Sequence, residues 1–339
     1  MTEYFMHPAI HALVWGLPIA SVLMGIAAMA TWWERKFAAR MQARVGPTAV
    51  GPFGLLQPIA DAFKMMQKED IVPRDADRFL FNLAPVFPVF LVLATAAVVP
   101  FGGYWEDGKY KAWMLAADLD IGLLWILSIA GLMVFPTWMA GWSSNNKYTL
   151  LAGMRAVAQG VSYEIPLVLT ALVAVIATGE LSLPGIIGWQ AENGWLIWRL
   201  PVLGLVAFVI FFAASLAEAN RIPFDIPEAE SELVAGVLVE YTGIKFGVFM
   251  LAEYLHTALA CLLAVALFFG GSHGPWPLYL GPVWLMLKSA ILFVGIYWIR
   301  WSWYRFRADQ LMDLCWRWFV PISLALVMGT SLMVWAGWL

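Results

Sequence analysis

Charge is what this chain has least of. Only 13% of its 339 residues are Asp, Glu, Lys or Arg, against 62% that are apolar. A soluble domain carries roughly 25% charged and about 45–50% apolar residues, because its surface has to be hydrated. A soluble globular protein is therefore excluded, and lipid is the solvent the composition calls for. Cysteine is almost absent as well: Cys261 sits in an apolar run and Cys315 in a basic loop, with no CxxC. Two thiols cannot hold a zinc ion or an iron–sulfur cluster, which take about four ligands, so both read as unrelated buried thiols. No GxGxxG, Walker A, HExxH or EF-hand pattern occurs, and the chain shows no nucleotide or metal site of its own. A net charge of -3 gives no reason to expect nucleic acid as a partner. Residues 1–7 carry Glu3 and no Lys or Arg, unlike a signal peptide, so the first apolar run is expected to be retained.

What the chain has in quantity is tryptophan, 20 residues, and long uncharged runs, with a mean hydropathy of +0.76. No Asp, Glu, Lys or Arg lies between Glu3 and Glu34, Arg78 and Glu106, Asp120 and Lys147, Arg199 and Glu218, Glu253 and Lys288, or after Arg317. Each gap fits a span of about 17–25 residues. Two further segments, one containing Glu164 and one Lys288, raise the expectation to eight transmembrane helices at about 9–33, 79–101, 118–141, 161–179, 199–219, 246–270, 282–301 and 318–337. The fold class is an all-α integral membrane protein with long loops on one side. The loops after spans 1, 3, 5 and 7, with their flanks, hold 16 of the 20 Lys and Arg. The positive-inside rule then places these loops in the cytoplasm and both termini outside. The outside loops, 102–116, 180–198 and 271–281, read as featureless Gly, Pro and Trp connectors.

The four inside segments are less ordinary. In the first, Gly46-Pro47 and Gly51-Pro52 mark turns, after which Leu55, Leu56, Ile59, Ala62, Phe63 and Met66 repeat at helical spacing opposite Gln57, Asp61, Lys64 and Lys68. This predicts an amphipathic helix in the interface plane, or one capping the bundle against a neighbouring subunit. Glu34-Arg35-Lys36 precedes it, either an anchor or a site. In the second segment Glu164 enters an apolar helix with no base within four positions, which makes it a functional candidate. The third carries six acids, Glu218, Asp225, Glu228, Glu230, Glu232 and Glu240, and one base, Arg221. Glu228 and Glu232, four apart, would share a helix face and repel, and burial adds to that; both effects favour proton exchange near neutral pH. Glu218 and Glu253 lie at or within apolar spans, and Pro223 and Pro227 interrupt the helices between, so the segment reads as a buried proton relay. The fourth, residues 299–318, reads as a basic, aromatic interface anchor.

Taken together these segments resemble one family, the quinone-chamber membrane subunit at the joint between the arms of proton-translocating NADH:quinone oxidoreductase, respiratory complex I. The resemblance is carried by Glu34-Arg35-Lys36, by the run from Gly51 to Asp61, by Ser144-Asn145-Asn146-Lys147-Tyr148, by Ser162-Tyr163-Glu164-Ile165-Pro166, by the run from Leu216 to Gly236 and by Asp309-Gln310-Leu311-Met312. It departs from the family pattern at Thr48 and Ala49, at Tyr304 in place of Pro and at Ala308 in place of Tyr.

The resemblance implies a subunit of a bacterial inner-membrane complex with both termini periplasmic. It would build the chamber through which ubiquinone or menaquinone reaches a hydrophilic-arm subunit carrying the terminal iron–sulfur cluster. FMN and the iron–sulfur clusters would belong to partner subunits, and small and antiporter-like membrane subunits would be its neighbours in the lipid. Arg35, Phe53, Arg221, Phe224 and Arg300 match positions expected at the chamber. Glu34, Glu164, Glu218, Glu228, Glu230, Glu232, Glu240 and Glu253 match an acidic funnel linking quinone chemistry to pumping, and Asp225 stands in the same acidic run. Three rivals remain: the related subunit of a membrane-bound hydrogenase or formate-hydrogenlyase complex, a stand-alone ion transporter, which would call for inverted repeats that are not seen, and a purely structural tether.

Overall fold

The computed structural model describes residues 8–106, 109–113, 116, 118–227, 230–274 and 280–338. The protein is an all-α integral membrane protein. Its helices are α1 (Pro8–Met41), α2 (Gln57–Gln67), α3 (Arg78–Leu83), α4 (Val86–Ala96), α5 (Gly122–Leu132), α6 (Val134–Ser143), α7 (Lys147–Thr178), α8 (Leu183–Asn193), α9 (Leu196–Arg199), α10 (Leu203–Glu218), α11 (Glu230–Leu233), α12 (Gly243–Phe268), α13 (Gly281–Ser302), α14 (Ala308–Asp313) and α15 (Val320–Trp335). Among the described residues six helical stretches are long and apolar enough to cross a membrane: Gly16–Met41, Gly122–Ser143, Lys147–Thr178, Gly243–Phe268, Gly281–Ser302 and Ala308–Trp335. The shorter apolar helices α4 and α10 occupy the places expected of the second and fifth spans.

Proline accounts for where the helices depart from the expected limits. Expected span 79–101 is broken at Ala84-Pro85. Pro85 has no N–H to offer the Phe81 carbonyl one turn back, and the Tyr241 hydroxyl donates to that carbonyl instead at 3.4 Å. Pro136 has the same effect on the third span, which divides into α5 and α6 at Met133. Pro166 leaves α7 unbroken, but the Ser162 carbonyl it frees accepts the Cys315 thiol at 3.1 Å. Cys315, expected in a loop, is instead buried in a single turn of π-helix, Leu314–Phe319, between α14 and α15. The fourth span is also longer than expected. It is the outer half of α7, a 32-residue helix capped by the Asn146 side chain and ended by Gly179 at φ 73°.

α7 and α12 form the middle of the bundle, with 56% of each apolar window buried, against 22% for α1 and α13 and 17% for the last span. α6 packs on α7 through Gly141 and Gly153, whose backbones approach so closely that a Cβ on Gly141 would lie 2.7 Å from the Thr149 carbonyl. Small residues at such crossings let dispersion and backbone contacts replace the hydrophobic effect that lipid removes.

All four inside segments meet at one end of the bundle. Asp77 N–H donates to Ser143 O, Ile71 N–H to Thr242 Oγ1, Asn146 Nδ2 to Glu240, and Phe306 N–H to Pro223 O. There α2 runs against α1 and α12 with none of its residues buried, leaving Ile59, Phe63 and Met66 exposed. The opposite end is more built than the expected featureless connectors. Gly102–Glu106 and Lys109–Trp113 form an antiparallel hairpin, α8 and α9 fill 183–199, and Tyr110 and Ser272 share a hydroxyl–hydroxyl hydrogen bond.

Candidate functional site: a buried ion cluster at the inner end of the bundle

Glu34 closes the inner part of α1 and is buried. A carboxylate there is costly unless paired, and its partners come from three distant parts of the chain. Arg300 Nη1 of α13 lies 2.6 Å from Glu34 Oε1, the Tyr254 hydroxyl of α12 donates to Oε2 at 2.7 Å, and Arg221 Nη1 approaches Oε2 at 3.6 Å. Arg221 also pairs with Glu253 through Nε at 2.8 Å, and its guanidinium lies 4.3 Å from the Tyr254 ring centre. Burial works against the Arg221 charge, but Glu253, Tyr254 and Glu34 outweigh it and hold the group protonated. Two carboxylates, two guanidiniums and a phenol thus form one largely buried network.

One helical turn beyond Glu253, His256 Nε2 stands 3.8 Å from Glu218 Oε1 at the inner end of α10. A cavity of about 90 Å³ lies here, lined by Glu218, Asn220, Glu253 and His256 among others. Glu164 of α7 occupies the neighbouring space: a Cβ on Gly131 would collide with its Oε1, so the glycine of α5 is what lets the carboxylate in. Asp225 pairs with Arg305 at 3.2 Å. Phe224 is buried between Tyr163 and Phe306, stacked on the latter at 5.7 Å.

The structure therefore brings together Glu34, Arg221, Glu253 and Arg300, with Glu218 and Glu164 alongside, and disperses the rest of the expected set. Arg35, half exposed, points to the other side of α1 and pairs with Asp61 of α2 at 2.5 Å. Burial raises the Asp61 carboxyl, but the hydrogen bond and charge of Arg35, with Gln57 and Lys64, hold it below its ordinary value. Phe53 is 78% exposed and sits at φ 56° in a tight turn. It helps line a recess of about 400 Å³ with Trp32, Trp33, Lys36 and Phe37.

The expectation that the whole run from Glu218 to Glu240 is buried does not hold. Glu232 is 55% exposed and pairs with Arg155 of α7, and Glu240 accepts from Asn146. The described helix in this run is α11. Glu230 stands at its start, and Glu228 lies outside the described residues.

Comparison with known proteins gives this inner-end network its family. The pattern of the family described as NADH dehydrogenase matches residues 15–331. The chain belongs to that family. It is similar to an NADH-quinone oxidoreductase subunit of Dehalococcoides mccartyi (strain CBDB1), 43% identical over 333 residues that cover 98% of this chain and 88% of the relative. It is also similar to the corresponding NADH-quinone oxidoreductase subunit of Protochlamydia amoebophila (strain UWE25), 43% identical over 298 residues, 88% of this chain and 90% of the relative. The NADH-quinone oxidoreductase subunit 8 of Thermus thermophilus is 42% identical over 318 residues, 94% of this chain and 85% of the relative.

For this member of the NADH dehydrogenase family, sequence reasoning missed Tyr254, His256, Tyr297 and Arg305. His256 could have been found, since it follows Glu253 by three positions and so shares its helix face. Tyr297, whose buried hydroxyl donates to Ala30 O at 2.8 Å, gave no signal in an apolar run. Among the described residues no group of three His, Cys, Asp or Glu is placed to hold a metal ion.

Proposed function

We propose that this chain is the membrane subunit of a proton-translocating NADH:quinone oxidoreductase, and that its inner-end network couples quinone reduction to proton movement. The observation that carries the reading is the Glu34–Arg221–Arg300–Glu253 cluster, a largely buried set of charges with Glu218 and Glu164 at its edge. Named relatives being NADH-quinone oxidoreductase subunits, the hydrogenase reading is not favoured.

The chemistry follows from the quinone. On gaining two electrons it becomes a strong base and takes up two protons. A unit charge appearing about 4 Å from a carboxyl in a partly dry site changes its energy by about 4 kcal/mol, equivalent to about three pKa units. Carboxyls held between burial and cations respond to such a change by binding or releasing a proton. An isoprenoid tail has a route from the lipid in a groove of about 490 Å³ between α1, α12 and α13, lined by Val22, Ile26, Met29, Trp33, Leu262 and Phe293 among others. Trp33, the residue before Glu34, closes its inner end. Phe53 lines the recess that shares Trp33 with this groove, Arg35 ties α2 to α1 through Asp61, and Asp225 with Arg305 fixes the last inside loop.

The electron donors, FMN and iron–sulfur clusters, belong in this reading to hydrophilic partner subunits docked on the inside loops, and antiporter-like and small membrane subunits cover exposed apolar faces. The excess of Lys and Arg at this end supports a cytoplasmic location for it and periplasmic termini, and the bacterial sources of the named relatives support a bacterial inner membrane as host.

The experiment is Glu218→Gln in the assembled complex. Lower quinone-linked turnover and lower proton pumping are expected, and wild-type values for both overturn the assignment.

A further inference from the structure

Beside the cluster stands a titratable group that the cluster does not use. His256 projects from α12 with 13% of its side-chain surface exposed, facing Glu218 at 11%, and its Nε2 has no hydrogen-bond partner among the described residues. A buried polar nitrogen without a partner is expensive, so Nε2 calls for one.

Position supplies one. Glu218 and His256 both line the cavity of about 90 Å³ that reaches Glu253 and Asn220. Both also line a second cavity, of about 30 Å³, that runs outward past Ser215 and Thr95 into the apolar middle of the bundle. The pair is thus the wall shared by two spaces, each larger than the roughly 10–15 Å³ a water needs. The titratable groups near the imidazole are Glu218 from α10, Glu164 from α7 beyond it, and Glu253 on its own helix. The residues of α4 and α5 that line the second cavity carry no charge.

We infer that His256 is a proton-transfer residue that works with Glu218 to pass protons between the inner cavity and the one deeper in the membrane. The inference rests on the proposed function and adds a relay group to it. The neutral ring accepts at one nitrogen. A proton leaves the Glu218 carboxyl oxygen as its O–H bond breaks, an N–H bond forms on His256 Nε2, and an imidazolium N–H bond then breaks to pass a proton to a water held in the second cavity. Glu218 is then reloaded from the inner cavity, and the ring ends neutral. The separation of 3.8 Å is bridged either by one water or by a rotamer change of the carboxylate.

The test is His256→Asn in the assembled complex in membrane vesicles, beside Glu218→Gln. Quinone-linked turnover with pumping is expected to fall on the order of tenfold, less than the roughly 10²–10⁴ of a general acid–base at a reacting bond. Its pH profile should change shape, and added imidazole should restore part of the rate. A merely structural role would move neither the profile nor the imidazole response, and that outcome overturns the inference, as does wild-type turnover. If H256N is impaired in assembly, judged by intact complex on native gels, H256Q replaces it. If neither assembles, infrared difference spectra of wild-type complex with isotope-labelled histidine decide: no imidazolium signal on quinone reduction overturns the inference. An impaired E218Q complex beside an unaffected H256N complex removes His256 alone, whereas wild-type turnover and pumping in E218Q removes the proposed function.

Discussion

Glu34 Oε1 and Arg300 Nη1 lie 2.6 Å apart, tying the inner end of α1 to that of α13. The other oxygen of the same carboxylate takes the Tyr254 hydroxyl and faces Arg221, so one acid holds three elements together. Arg221 does the same from the opposite sign, reaching Glu34 and Glu253 at once.

Removing Arg221 leaves two buried carboxylates short of a shared cation, which costs about 3–5 kcal/mol for a buried pair. Arg221→Met is therefore expected to reduce the amount of intact complex severely, read on native gels. Arg221→Lys keeps the charge but loses the planar fork that serves two acids. It should assemble and turn over more slowly. Wild-type assembly of the Met variant would show that the cluster does not hold these helices.

Much of this site is legible in the amino-acid sequence, and the part that is not has a physical cause. Apolar length and the Lys and Arg bias locate the helices and the end at which they are charged. The acids Glu34, Glu164, Glu218 and Glu253 stand out because a carboxylate in an apolar run is costly wherever it is. Their pairing is not legible: Glu34 and Arg300 come from opposite ends of the chain, and only packing brings them together. Clustering along the sequence misleads in one respect, since Glu232 and Glu240 are close to Glu218 in number and yet pair with Arg155 and Asn146 of other parts of the fold.

Gly131 and Gly295 make a paired test of whether Glu164 matters where it stands. A Cβ at Gly131 would strike the Glu164 carboxylate, whereas one at Gly295 meets nothing within 4 Å. Both lie in helices, where Ala is favoured over Gly by about 1 kcal/mol. Gly295→Ala should be neutral or slightly stabilising, with unchanged turnover. Gly131→Ala should push Glu164 from its place and lower quinone-linked turnover as Glu164→Gln does. Equal behaviour of the two alanine variants would count against Glu164 as a proton-transfer group.

Asp61 sets an acid limit on the docking of α2 against α1. Its carboxyl is held below the ordinary value in the folded chain, so its contribution is complete above the unfolded value, near 3.9, and is lost as pH falls through the lower folded one. Arg35 is 51% exposed, which keeps the contribution to about 1 kcal/mol or less. Amide protection in α2, corrected for intrinsic exchange, should be constant from neutrality to about pH 4 and fall below that. Asp61→Asn should lower it from neutrality down to about pH 4, the difference closing as the wild-type carboxyl becomes protonated at lower pH, and high salt should narrow the difference between the two. Protection in the Asn variant equal to wild type at neutral pH and low salt would rule the pair out as the joint.

At the other end of the bundle Lys288 carries no expected role in quinone chemistry, and its contacts explain why a cation stands in an apolar helix. Its ammonium donates to the carbonyls of Phe269, Gly271 and His273 at 2.7, 3.0 and 2.5 Å and lies 4.6 Å from the Trp195 ring centre. These carbonyls are at the C-terminal end of α12 and just beyond it, where backbone acceptors lack helical partners and the helix dipole favours positive charge. Lys288→Met keeps the apolar stem and removes all three donors, so the exposed cost is that of unsatisfied acceptors, about 1–3 kcal/mol. The thermal midpoint of the isolated complex is expected to drop, while quinone-linked turnover per intact complex stays at the wild-type value, because the lesion is at the opposite end from Glu34 and Glu218. A loss of turnover without loss of thermal stability would instead place Lys288 on a proton path.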